Sequence, residues 1–337
     1  MIDDFKHFIK ILGRGKKGTR SLTSEEAQLA MQMILNNQAL PEQIGAFWML
    51  IRIREETVAE TVGFTRAVRE FLAQNRTNAS QVDIDWPAYA GKRNELPWFL
   101  LSALTLAQAG YKVAMHGHSF DEENRIYVQE TIQWLGLSSA DTIQEAEKNL
   151  EQGNFTYVPL NAISTNLAEL MDLKLTLGLR SPVNTVVRMM NPFNAKHSVH
   201  GVFHKGYDEL HLDAAEILKD PSVAVFRGGN GEAEVNPERD VTVGFLKGNT
   251  NQVPDWQTWN KAEQQHVRQK DNLDPIRLLE HWSGSSEDAF GQQAVLQTLT
   301  VVVMMLFPDF NREQALKKAE VLWQQRDKQC FKRTQVA

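Results

Sequence analysis

The chain has 337 residues, 42% of them hydrophobic, and a formal net charge of -6. That length can bury a substantial core in one large domain or two, and the acidic total excludes a uniformly basic nucleic-acid binder. The single cysteine, Cys330, excludes an internal disulfide, and no cysteine cluster suggests zinc.

Phe5, Phe8, Ile9 and Leu12 have helical spacing, and Gly13 ends that helix. Gly13-Arg-Gly-Lys-Lys-Gly18 reads as a flexible basic loop. Thr23 and Glu26 stand in capping-box spacing before a helix with Ala27, Ala30, Met31 and Ile34 on one face. Asn36-Asn37 breaks it. Pro41 suits the first turn of the next helix, which carries Ile44, Phe47, Trp48 and Ile51. Thr57 opens a fourth, reaching Leu72. Residues 1–74 therefore read as a helical domain, and the polar run 74–81 as a linker.

Strands then alternate with helices. Strands are expected at 82–84, 111–116, 156–160, 223–227 and 241–245. Helices are expected at 98–109, 126–135, 141–152, 166–177, within 206–218, at 275–284 and over 289–325. Such alternation implies a mostly parallel sheet covered on both faces. The expected class is α/β: a helical domain over 1–74, joined by helices from about 166–185, plus a larger α/β domain over 75–337. The apolar run near Val301 to Phe307 is too short to span a bilayer. Met1-Ile-Asp-Asp4 lacks the basic, then apolar start of a secretory signal. A cytoplasmic location without a membrane partner is expected.

The segment Trp86-Pro-Ala-Tyr-Ala-Gly-Lys-Arg-Asn-Glu-Leu-Pro97 is the most informative. Between a strand and a helix, α/β proteins cradle phosphate on free backbone N–H groups and a helix N-terminus. Close backbone approach needs several glycines, and this segment has one, Gly91. Tyr89 adds bulk, while Lys92 and Arg93 add charge.

Several stretches together resemble a known family. Residues 23–57 resemble the N-terminal helical domain of anthranilate phosphoribosyltransferases and nucleoside phosphorylases. Val113-Ala-Met-His-Gly117 resembles their Val-Ala-Lys-His-Gly strand. Leu177-Gly-Leu-Arg-Ser-Pro-Val-Asn184 with Asn191-Pro192 resembles their Leu-Gly-Ile-Arg-Thr-Ile-Phe-Asn and Asn-Pro segment. The family's Gly-Thr-Gly-Gly-Asp-Gly loop, which holds the pyrophosphate of phosphoribosyl pyrophosphate, falls on Pro87, Ala88, Tyr89, Ala90, Gly91 and Lys92. Its Asn-Ile-Ser-Thr helix start becomes Pro97-Trp-Phe-Leu100, its lysine before His-Gly becomes Met115, and its magnesium-holding Asp-Glu pair becomes Ala233-Glu234. One carboxylate is too few for a magnesium ion shared with substrate phosphate. These losses remove the charge stabilisation that phosphoribosyl transfer needs.

Leu12-Gly-Arg-Gly-Lys16 and Tyr89-Ala-Gly-Lys-Arg93 are similar to a YbiB-like, non-transferase branch. That resemblance implies a homodimer that binds single- and double-stranded DNA and RNA without sequence preference. It implies no catalytic residue, no cofactor and no metal. The helical domain forms the dimer contact in the transferases, which places Ala46, Phe47, Met49 and Leu50 either near a twofold axis or against the chain's own second domain.

The charge is unevenly spread. Residues 1–20 carry six cations against two acids, 166–206 five against two, and 207–240 nine acids against three cations. A face can thus be positive on an acidic chain. Candidate phosphate contacts are Lys10, Arg14, Lys16, Lys17, Arg20, Lys92, Arg93, Arg180, Arg188 and Lys205. Lys92 and Arg93 either touch phosphate or belong to a solvated loop plugging a dead site. The resemblance puts Arg180 where the transferases bind the acceptor's carboxylate; it meets phosphate or bridges domains. His197, His200 and His204 invite a zinc site, but the better expectation is conditional positive charge. His116 reads as a satisfied strand-end residue. Trp86 and Trp98 are the stacking candidates, Trp48 and Trp134 read as core, and Trp256 and Trp259 as anchors of a polar loop. Two rivals stand beside nucleic-acid binding: a glycosyl or phosphoribosyl transferase with an altered substrate, and a regulatory interaction protein with an inert pocket.

Overall fold

The computed structural model describes residues 2–15, 17–74, 81–247, 254–262 and 272–331. Lys16 and most of the expected linker lie outside the described residues. Four helices open the chain: α1 (Ile2–Gly13), α2 (Ser24–Leu35), α3 (Pro41–Arg54) and α4 (Val58–Ala73). The capping box expected at Thr23 and Glu26 is present, and Thr57 makes another with Glu60. Two orphan N–H groups are satisfied at each start. Glu60 is fully buried, where it also accepts from Leu22 N at 2.8 Å and pairs with Arg54. Asn37 takes a left-handed φ of 56° and turns the chain after α2.

The second region begins with β1 (Ile84–Ala88), β2 (Lys92–Arg93), α5 (Phe99–Gln108), β3 (Val113–Gly117), β4 (Arg125–Ile126), α6 (Val128–Trp134), α7 (Ile143–Gly153) and β5 (Phe155–Pro159). Three helices follow, α8 (Leu160–Ile163), α9 (Thr165–Leu177) and α10 (Val183–Met189). Next come β6 (His197–Val202), α11 (Tyr207–Leu218), β7 (Ser222–Arg227), β8 (Val241–Lys247) and β9 (Asp255–Trp259). The chain closes with α12 (Ile276–Ser283), α13 (Ala289–Leu306) and α14 (Arg312–Gln325).

The main sheet runs β5-β3-β1-β6-β7-β8-β9. The pairings from β5 to β7 are parallel, and β8 and β9 add antiparallel strands. The mostly parallel α/β sheet expected from the alternation is therefore present. Three strand assignments in the main sheet change. β6, between β1 and β7, stands where no strand was expected. β1 runs through Pro87 and Ala88, which the sequence placed in the loop. Proline lacks an N–H and reads as a strand breaker; β1, however, pairs with β6 only at Ile84 and Asp85, so Pro87 is laddered on one side alone. Residues 255–259, expected as a polar loop, form the edge strand β9, in which exposed Trp256 and Thr258 alternate with the more buried Asp255, Gln257 and Trp259. The helical tail also breaks, at 307–311 around Pro308.

Two large cores result. One buries α5, α13 and α14 against the sheet, with Trp86, Phe99, Phe226 and Trp282 within it. By length and composition α13 could cross a membrane, so the apolar run is longer than 301–307; most of it lies inside this core. The other core joins α1–α4 to Leu160, Leu167, Met171, Val183 and Val187, and takes in Tyr89 and Tyr127. A polar clamp links the regions: Arg69 donates to Met189 O at 2.6 Å and to Asp220 Oδ2 at 2.9 Å. Charged hydrogen bonds of this kind are worth about 1.5–3 kcal/mol each.

Candidate functional site

The loop after β1 is filled by the chain itself. Gly91 has φ 66°, and a Cβ there would lie 2.8 Å from the Arg125 side chain. That conformation turns consecutive N–H groups inward, as a phosphate cradle does. They meet no void. Glu232 Oε1 accepts from Ala90 N at 2.7 Å and also from Gly91 N. Arg125 braces the outside by donating to Gly91 O at 3.1 Å. Burial raises the pKa of Glu232, and Arg188 opposes that rise.

The next position is equally occupied. Lys92 is 0% exposed, pairs with Glu234, and has Glu95 at 3.3 Å. Glu234 Oε2 also accepts from Phe99 N at 2.9 Å, capping the α5 N-terminus with negative charge. Burial pushes Glu234 upward while Lys92 pulls it down. Two internal carboxylates thus satisfy the inward N–H groups, and an ammonium stands against one of them. Behind them Tyr89 Oη lies 2.7 Å from His116 Nδ1, and His116 Nε2 lies 3.0 Å from Asp85 Oδ1. All three residues are fully buried, so His116 is the satisfied strand-end histidine expected.

A cleft of about 210 Å³ opens beside this filled loop. The end of α3 gives Arg52 and the turn after it Glu56, α9 gives Lys174, the α9–α10 connection gives Arg180 and Ser181, α10 gives Thr185 and Arg188, the β6–α11 connection gives Phe203 and His204, and the start of α11 gives Tyr207. Glu56 is its one carboxylate, held by Thr185 Oγ1 at 2.6 Å and Tyr207 Oη at 3.2 Å. Lys174 pairs with Glu122 and sits 4.3 Å from the Phe120 ring. Arg188 donates to Gly201 O at 3.2 Å and to Asn184 O. Burial pulls its pKa down to about 10, with Glu232 opposing. Arg180 is half-buried and makes no hydrogen bond or ion pair among the described residues; burial and then Arg125 lower its pKa. A cation deprived of water and held near other cations is set to accept an anion.

Several expected contacts move. Lys92 cannot reach a polyanion, because its charge is spent inside. Arg188 is buried on the cleft wall, and Arg20 is engaged by Glu26 at 2.7 Å. Trp86 and Trp98 are buried and offer no stacking face, whereas Trp134, expected as core, is 40% exposed. His200 is buried 3.4 Å from His211 and held down at about 3, first by burial; His197 is lowered too. Neither therefore supplies conditional charge near neutrality. Among the described residues no three histidines, cysteines or carboxylates gather as a metal site. Phe47 belongs to the helical core, while Ala46 is exposed. Lys10, Arg14, Lys17, Arg93 and Lys205 are exposed, and none of them lines the cleft. The sequence reading missed Arg52, Phe203 and Glu232. The spacing Glu232-Ala-Glu234 carried the last signal: two carboxylates, not one, reach the loop.

Residues 6–72 match the helical bundle domain of the glycosyl transferase family. The chain is 24% identical over 246 residues to YbiB of Escherichia coli, an uncharacterized protein, covering 72% of this chain and 76% of the relative. It is 27% identical over 252 residues to the anthranilate phosphoribosyltransferase of Parvibaculum lavamentivorans, covering 74% and 72%. The Saccharomyces cerevisiae anthranilate phosphoribosyltransferase in complex with PRPP and Mg superposes with TM-score 0.75 at 15% identity, over 96% of this chain and 94% of that one. Residues 6–72 are thus a helical bundle of the glycosyl transferase family type, and the chain shares the fold of the anthranilate phosphoribosyltransferases. The Thermus thermophilus anthranilate phosphoribosyltransferase gives TM-score 0.74 at 17% identity, covering 95% and 94%.

This chain's loop does not fit phosphoribosyl pyrophosphate with magnesium. The N–H groups of Ala90, Gly91 and Phe99 are already bonded to carboxylates, and Lys92 stands against the Glu234 carboxylate that a metal would need.

Proposed function

We propose that this chain is a cytoplasmic, sequence-nonspecific nucleic-acid-binding protein, acting as a homodimer on a phosphoribosyltransferase fold that has lost its transfer chemistry. The observation that carries this reading is the division of charge. The phosphate cradle is neutralised from within by Glu232, Glu234 and Lys92. Meanwhile Arg52, Arg180, Arg93, Arg14, Lys17 and Lys205 have no carboxylate partner among the described residues. Unpaired cations on an otherwise acidic chain serve a polyanion, because phosphate contacts release condensed counterions. No base-reading constellation accompanies them, so sequence preference should be weak. The dimer is supported by apolar residues left in solvent on the helical region, Ile53 at 82% and Leu175 at 71% exposed. Two copies would double the cationic surface and raise avidity.

The test is fluorescence anisotropy with unrelated single-stranded and duplex oligonucleotides at rising salt. Affinity should fall linearly on logarithmic axes, with a slope of about -0.7 for each phosphate contacted in a single strand. A flat salt response, or no binding at low salt, sinks the proposal. Calorimetry with phosphoribosyl pyrophosphate and magnesium should show no heat.

A further inference from the structure

We propose that the cleft takes one unpaired nucleotide of a single strand, its base against Phe203 and its phosphate on Arg180 and Arg52. This deepens the nucleic-acid reading and rests on it. Phe203 is 62% exposed, although a large aromatic ring is ordinarily withdrawn from water. It begins a short run of rings at the cleft wall: Phe203 and His204 have centroids 5.1 Å apart, and His204 and Tyr207 6.0 Å apart. Arg52 and Arg180 line the same cleft from the helical region. An aromatic platform combined with free cations is the arrangement that holds unpaired bases. Glu56, the only acid in the lining, is turned to Thr185 and Tyr207 and so repels a phosphate less. A base within a duplex is stacked on both faces and cannot enter a walled cleft.

The experiment compares three ligands of equal length: an oligodeoxythymidine, an abasic deoxyribose-phosphate oligomer, and a duplex. Wild-type protein should bind the thymidine oligomer about tenfold tighter than the abasic one, the value of one stacked base. Phe203→Ala should erase that difference and leave duplex affinity unchanged, and Phe203→Trp should restore it. Arg180→Gln should weaken both single strands alike. Equal wild-type affinity for thymidine and abasic oligomers would overturn the cleft assignment while the nucleic-acid reading stands. So would a Phe203→Ala loss shared by the duplex. Failure of all three ligands to bind at low salt would remove the nucleic-acid reading and this inference together. Phe203 is exposed and its substitution removes little packing, so unchanged thermal melting should accompany each result.

Discussion

Replacing Glu232 with alanine probes the filled cradle directly. Glu232 Oε1 accepts from Ala90 N at 2.7 Å and from Gly91 N, and Arg188 is the foremost charge opposing its burial. The variant leaves two buried donors unpaired, at roughly 1–3 kcal/mol each. It also removes the carboxylate charge that offsets the burial of Arg188. Relief of the carboxylate's own desolvation offsets part of this loss. The net expectation is a loss of about 2–4 kcal/mol, from two unpaired donors less the relieved desolvation. The same substitution opens an anion site with donors already aimed. Phosphate at a hundred times its Kd should then return about 2.7 kcal/mol. Urea denaturation in chloride and in phosphate, at matched ionic strength, reads both effects. Wild type sets the baseline for the general stabilisation that phosphate gives any folded chain. A loss no larger than the ~0.5 kcal/mol of an ordinary surface change, with equal phosphate effects in both proteins, would refute a cradle closed by Glu232.

Three further outcomes follow from the same geometry. Lys92→Met strands Glu234 and Glu95 without their cation and should cost about 3–5 kcal/mol in urea denaturation, with part regained in the Lys92→Met, Glu234→Gln double variant. His200, 1% exposed, is held at about 3 against an ordinary 6.5. Its folded pKa is depressed, so the unfolded chain takes the proton first. Stability is complete above about pH 6.5 and falls by about 1.4 kcal/mol per pH unit as pH drops toward 3, or about 2 kcal/mol at pH 5; His200→Gln should remove about that much of the difference in denaturation between pH 7 and 5, with His211 and His281, also depressed by burial, keeping the remainder. Finally, a Cβ at Gly63 would lie 2.2 Å from Ser24 O and 2.8 Å from Ala27 Cβ, where α4 crosses α2. Gly63→Ala should therefore lower stability by about 1–3 kcal/mol or more, measured by thermal melting.

The sequence by itself determined the elements whose signals are local. Thr23 with Glu26, the turn at Asn37, and the helical faces of residues 5–72 follow from capping and periodicity that neighbours in the chain supply. The loop could also be read as altered, since glycine content is a local property. What the loop became was not legible there. Lys92 and Arg93 are adjacent cations, yet one is sealed against Glu234 and the other lies in water. That outcome depends on a segment some 140 residues onward: the hydrogen bonds from Ala90, Gly91 and Phe99 to Glu232 and Glu234 span |i−j| of 142, 141 and 135. Arg52, Arg180 and Phe203 likewise share a cleft only because separate elements converge. Charge and aromaticity are written in the chain, but whether a charge faces a partner or solvent is settled by packing across the fold.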